Sequence, residues 1–360
     1  MLAREVGSVV SLDALYGGCI ELTVETLNGI RKAIAYPDLV GNIKANDRVL
    51  LNVTAVKKSL GTGGFHFVMA NLSAPTEEDE PNESGHIVKL RYTPCQHTVL
   101  SVEEEESPFR QYVENFNSLN GLPVVIGQLH SQIAPALAAI KRSKRTTRTA
   151  YIMTDSAALS IGFSKLVLQL KQNGLIDETI TVGQSFGGGI EAVNIYTGLI
   201  AAKEVIGADV AVVCPGPGNT GTGTRFGFSS IEQGEIVNAV SVLGGRPVAI
   251  ARVSFADART RHHGISHHTI TTLETVALCR CAVILPMIDQ TRLLILQEQL
   301  ARTAIPEKHK IKILDGSPGI SEIMERGIVV STMNRSYEQD KEFFLSASAA
   351  GRYAAELLKI

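Results

Sequence analysis

The sequence has almost no net charge. Its 34 lysines and arginines nearly balance its 36 aspartates and glutamates, for a formal value of −2. Bulk electrostatics therefore exclude nucleic acid or an anionic membrane as the expected partner. Long apolar runs are also missing, and none approaches the roughly 20 residues that span a bilayer. The opening stretch, MLAREVGSVVSLDALYGG, has no basic segment followed by an apolar one, so no export signal is read there. Cysteine is scarce: five residues, odd in number and scattered, make no disulfide framework. Cys214 and Cys281 lie in or beside apolar segments and read as buried thiols. A cytoplasmic location is the expectation.

What the chain does have is an ordinary globular composition, 44% apolar and 19% charged, and 360 residues in which to build a large core. Two domains are expected, a small β-rich one over residues 1–102 and an α/β ligand-binding one over 109–360. In the first, GCIELTVET, DRVLLNVTAV and GFHFVMANL alternate apolar and polar positions, and Asn28-Gly29 is a strong hairpin signal. Short strands with such turns suggest a small barrel or sandwich. Acidic stretches at 74–85 and 103–108 read as a solvated loop and a linker.

After Phe109 the rhythm changes. LPVVIG, TAYIMT, ETITVG, ADVAVVC, RPVAIARVSF, CAVILPM, HKIKILDG and GIVVST are apolar runs of strand length, most of them separated by helical patterns. That alternation marks a mainly parallel sheet covered on both faces. A Rossmann-like three-layer domain is expected, with an eight-fold β/α barrel as the alternative. In both, function concentrates at the carboxyl ends of the strands.

Five of the nine histidines fall at those ends. The glycine-dense CPGPGNTGTGT follows the ADVAVV run, and small residues there let backbone amides converge on an anion ahead of a helix starting near Phe226. Gly216, Gly218, Asn219, Gly221, Thr222, Gly223 and Thr224 are the candidate contacts. The pattern formally matches a dinucleotide fingerprint, but Pro217 removes an amide, and no acidic residue follows at the expected distance. GQSFGGGIEAVNIY repeats the design, so Ser185, Gly187, Gly188 and Gly189 are expected to face the same cleft, with Glu191 in a first helical turn. Asp155 suits an N-cap, and His130 stands beside these loops.

FADARTRHHGISHHT is the densest stretch. Arg259 and Arg261 can grip a carboxylate or phosphate. Asp257, His263, His267 and His268 are candidate metal ligands, although their spacing matches no established signature. Thr271-x-x-Glu274 reads as a capping box beginning a helix. The candidate catalytic groups are His130, Asp155, Asp257, His263 and His267. A plain polar surface loop remains the competing reading.

The motifs GQLHSQIAP, YIMTDSAALSIGFS, GQSFGGGIEAVNIYTGL, GPGNTGTGT, SFADARTRHHGISHHT and LGTGGFHFV resemble those of a bacterial domain-of-unknown-function family (DUF 3866). The resemblance covers essentially the whole chain and implies no activity. The residues themselves point to an enzyme acting on a small phosphorylated, carboxylated or nucleotide ligand. A divalent metal ion or a nucleotide is the cofactor that would fit. A non-catalytic ligand sensor, relaying binding through the β-domain, is the alternative. The expected partners are that small anion and further copies of the chain in a homo-oligomer.

Overall fold

A computed structural model describes residues 1–61, 63–73 and 85–359. The acidic loop expected at 74–85 lies outside them except for its last residue. Near the N-terminus, β1 (Arg4–Tyr16), β2 (Cys19–Thr26), β3 (Gly29–Ala35), β4 (Arg48–Asn52) and β5 (His66–Asn71) close into a barrel in the order β1-β2-β3-β5-β4. All neighbours are antiparallel except β3 and β5. The alternation read in the sequence supplies its core: Leu22 and Val24 of β2 meet Val49 and Leu51 of β4 inside. A hairpin follows, β6 (Ile87–Lys89) with β7 (His97–Val99). Lys89 of this hairpin is fully buried and holds Glu191 at 3.0 Å.

The rest is an open eight-stranded parallel sheet. It contains β8 (Pro123–Ile126), β9 (Thr149–Thr154), β10 (Glu178–Val182), β11 (Ile190–Ala192), β12 (Val210–Pro215) and β13 (Arg246–Ile250). After a two-stranded ribbon, β14 (Val253–Ser254) with β15 (Gly264–Ile265), come β16 (Ala282–Pro286) and β17 (Lys310–Leu314). The order is β11-β10-β9-β12-β8-β13-β16-β17. Its two free edges exclude the eight-fold barrel. Seven of the eight apolar runs supply strands of this sheet. GIVVST does not; only Ser331–Thr332 pairs, in a short ribbon with Arg335–Ser336. The eighth place goes to β11, whose three residues are too few to show a period.

Continuous apolar strands serve both faces. Val124 and Ile126 of β8 enter one core and Val125 the other; Ala211 and Val213 of β12 part in the same way from Val212 and Cys214. Each fully buried aliphatic side chain contributes roughly 2 kcal/mol. Helices Ile133–Ser143, Lys165–Gln172, Ser317–Glu325 and Lys341–Glu356 cover one face; Ile195–Ile200, Glu232–Val242 and Gln290–Ala301 cover the other. No helix among the described residues is long and apolar enough to cross a membrane.

One relation positions the site. Neighbouring strands β8 and β12 send their following helices, Ile133–Ser143 and Glu232–Val242, to opposite faces of the sheet. The loops leaving the two strands therefore diverge and open a crevice, the switch point at which open α/β sheets bind ligands. The barrel reaches the sheet next to this crevice. Gly17 and Gly162 touch backbone to backbone, and a Cβ on Gly162 would lie 1.6 Å from the Gly17 carbonyl oxygen. Lys165 reaches Glu21 at 2.6 Å.

Candidate functional site

A cavity of about 640 Å³ fills the crevice. Its walls come from the ends of three strands: Leu129–Ser131 after β8, Gly216–Gly221 and Gly223 after β12, and Arg252 after β13. Arg259, Arg261, His262 and His268 close one side, and Val329–Met333 the other. The glycine segment and the histidine segment, about 40 positions apart in sequence, thus share one space.

The glycine loop is held by its own side chains. Asn219 Oδ1 accepts from Ser229 Oγ at 2.6 Å and from Ser230 N at 3.1 Å, capping the turn that leads into helix Glu232–Val242. Thr222 donates to the Gly227 carbonyl, and its hydroxyl lies 2.9 Å from that of Thr224. Thr222 and Thr224 therefore fold the loop rather than line the cavity. Among the described residues, the Gly218, Asn219, Gly221 and Gly223 amides meet no protein acceptor. Gly218 has φ +111°, a conformation that needs glycine.

Positive charge predominates in the cavity wall. Arg252 is buried, lines the cavity and keeps its Nε enclosed without a partner among the described residues. Burial lowers its pKa to about 10, which leaves it protonated at neutral pH. Asp257 accepts from Arg259 Nε at 2.9 Å and Nη2 at 2.7 Å, with Arg252 at 3.4 Å and Arg335 at 3.7 Å. Burial pushes the Asp257 carboxyl up, but the Arg259 hydrogen bonds outweigh it and hold the group well below the usual carboxylate range. Asp340 takes Arg335 at 2.9 Å. Three guanidiniums, Arg252, Arg259 and Arg335, thus gather on Asp257, and Arg335 also takes Asp340. Arg261 is exposed beside Gly223 and has no carboxylate partner among the described residues.

The histidines sort differently from the sequence expectation. His262, His267 and His268 present ring nitrogens within 4.8 Å of one another. Adjacent His267 and His268 converge at the start of a helix, His267–Thr271, whose cap is Ser266. That helix begins five residues before the capping box expected from Thr271; Glu274 instead accepts from Ala304 N. Ser266 Oγ also lies 2.7 Å from His262 Nδ1; a proton there, donated to the hydroxyl, frees Nε2. His268 stacks on Phe228, and His267 Nε2 is enclosed without a partner among the described residues. Burial, then Arg252, drives the pKa of His262 and of His268 down to about 3, so both rings are neutral; burial also lowers that of His267. His263 turns away, exposed, against Phe255. Asp257, committed to guanidiniums, stands outside the group.

Other candidates lie elsewhere. Asp155 caps no helix; it accepts from Gln184 N at 2.9 Å, behind the cavity. Ser185 is buried and donates to the Thr154 carbonyl. The amides of Gly187, Gly188 and Gly189 are spent on Glu191, Thr181 and Thr179. They do not face the cleft, because β11 follows them where a helix was expected, and Glu191 lies on that strand. His130 does line the cavity, yet both nitrogens are engaged, Nδ1 3.2 Å from the Pro215 carbonyl and Nε2 2.6 Å from Ser164 Oγ. It pins the ends of β8 and β12 to the cap of helix Lys165–Gln172. Arg252 was missed, because it reads as part of a strand; His262 and His263 are interchangeable candidates until the turn at Thr260–His262 is known.

These features define a three-layer α/β protein with an appended β-barrel and an arginine- and histidine-lined cavity at its topological switch point. The chain belongs to the family described as "Protein of unknown function (DUF3866)", whose model matches residues 32–351. Neither the curated proteins nor the solved structures contain a match to it.

Proposed function

We propose that this cavity binds a small phosphorylated or carboxylated ligand and that the protein is an enzyme acting on it with the help of a divalent transition metal. One observation carries the reading: guanidiniums in excess of carboxylates and backbone amides without protein acceptors converge on a single crevice. Arg261 and Arg259 would take the anionic group bidentately, as planar guanidiniums do. The Gly218, Asn219, Gly221 and Gly223 amides would complete its coordination. His262, His267 and His268 supply three neutral imidazoles, the donor set that zinc and its neighbours accept. Three protein ligands leave a position for water or substrate, and bound metal lowers the pKa of that water. The surrounding positive charge opposes a bare cation, so ligand and metal are expected to bind cooperatively.

Titration calorimetry with inorganic phosphate, with and without Zn²⁺ or Mn²⁺, tests both halves. Saturable phosphate binding that tightens when metal is present supports the reading. No phosphate binding under either condition removes it.

A further inference from the structure

A second cavity, of about 520 Å³, lies between the barrel and the sheet. Its chemistry is opposite to that of the first. Tyr36, Phe67, Leu90, Leu159, Phe163 and Phe186 contribute to its walls, and among the described residues no charged side chain does. Tyr36 and Phe67 are stacked with centroids 6.4 Å apart, and Phe163 leans on Phe67 at 6.1 Å. The Ser160 hydroxyl, also in the wall, accepts from the Gly162 amide. Pro217 and Gly218 border both cavities. The apolar chamber therefore opens beside the unpaired amides and arginines of the anion site.

We infer that the ligand is an anionic amphiphile: a single hydrocarbon chain, acyl or isoprenoid, ending in a phosphate or carboxylate. The inference rests on the anion-binding reading of the first cavity and adds the second as the seat of the chain. Charge and hydrocarbon complement the two chambers in the order in which they meet at Pro217-Gly218. A nucleobase or sugar fits the second chamber poorly, because its polar edge would lose hydrogen bonds to water and find almost none in the wall. A hydrocarbon chain loses nothing there and gains from leaving water, each buried methylene tightening binding by a factor of about four.

The test uses the full chain and monomeric probes kept below their micellar concentration. Dodecyl phosphate, dodecanoate, dodecanol and inorganic phosphate are compared by calorimetry. Dodecyl phosphate or dodecanoate is expected to bind about 100-fold or more tightly than inorganic phosphate, and more tightly than dodecanol. Ala158→Trp, at an exposed position in the wall of the apolar chamber, fills it without disturbing the core. This variant should cost the amphiphile about tenfold and leave inorganic phosphate unchanged. Arg261→Ala should weaken amphiphile and phosphate alike. Equal affinity for dodecyl phosphate, dodecanoate and inorganic phosphate overturns the inference while leaving the anion site standing. Dodecanol binding as tightly as dodecyl phosphate overturns it from the other side, as does an Ala158→Trp variant that keeps the full amphiphile preference. Anionic lipid vesicles form the last arm. Sedimentation with vesicles of phosphatidylglycerol in the absence of monomeric amphiphile binding would place the hydrocarbon in a bilayer and also overturn it.

Discussion

The imidazole of His268 lies flat on the ring of Phe228, with centroids 3.8 Å apart and planes 6° from parallel. Phe228 closes the glycine loop, through the bridge between Gly221 and Phe228, and His268 opens the helix after the histidine segment. This stack joins the two stretches that the sequence marks out but cannot connect. It also holds the His268 ring against the cavity wall beside Gly221, so that the imidazole and the loop amides share one face.

Arg261 is exposed and unpaired among the described residues, so removing it disturbs no core contact. Arg261→Ala is expected to change stability by less than about 0.5 kcal/mol. Phosphate affinity should fall roughly 10- to 100-fold, the range of a hydrogen bond to a charged group. Calorimetry on variant and wild type measures it, and an unchanged affinity would take Arg261 out of the site.

The histidine assignment separates neighbours. His267→Ala should abolish stoichiometric binding of Zn²⁺ in equilibrium dialysis followed by elemental analysis. His263→Ala, whose ring packs on Phe255, should bind as the wild type does. Equal metal content in both variants would leave the three imidazoles without a metal role.

His130 predicts an acid-sensitive fold. Burial lowers its pKa to about 4, against an ordinary value of 6.5, with the Pro215 carbonyl opposing. The unfolded chain therefore binds more protons between these values, and native stability falls as pH drops from about 6.5 toward 4. The loss is at most about 3 kcal/mol. The Asp257 carboxyl, held low by Arg259, extends the loss in the same direction at lower pH. Urea unfolding of wild type and His130→Gln across that window is the measurement. Parallel curves would show that His130 carries none of the slope.

Gly162→Ala tests how the barrel is seated. A methyl group there would overlap the Gly17 carbonyl, whose backbone cannot give way like a flexible side chain. A loss of about 1–3 kcal/mol is expected, the usual cost of overpacking. Faster amide exchange should appear around Gly17 and Glu21, while the sheet keeps its protection. Uniform exchange throughout would mean that the barrel contact is not separable from the sheet.

Periodicity alone was enough for the architecture, because burial on both faces forces strands such as VAVVC to be apolar throughout, and barrel strands such as IELTV to alternate. It was enough, too, to put the glycine- and histidine-rich stretches at the strand ends, where the cavity lies, since such sequence has no place inside a packed sheet. Local patterns failed where the partner depends on strand pairing or on the sense of a turn. Gly187–Gly189 look like a phosphate loop, but Thr179, Thr181 and Glu191 consume their amides once β11 pairs beside β10. His262 and His263 are equivalent as letters; one turn of backbone sends the first inward to Ser266 and the second outward to Phe255. Arg252 looks like the middle of a strand, yet it lies between β13 and β14 and reaches Asp257 and the cavity. Which nitrogen, amide or guanidinium remains free depends on how the backbone turns and which strands pair, and a linear pattern carries no record of either.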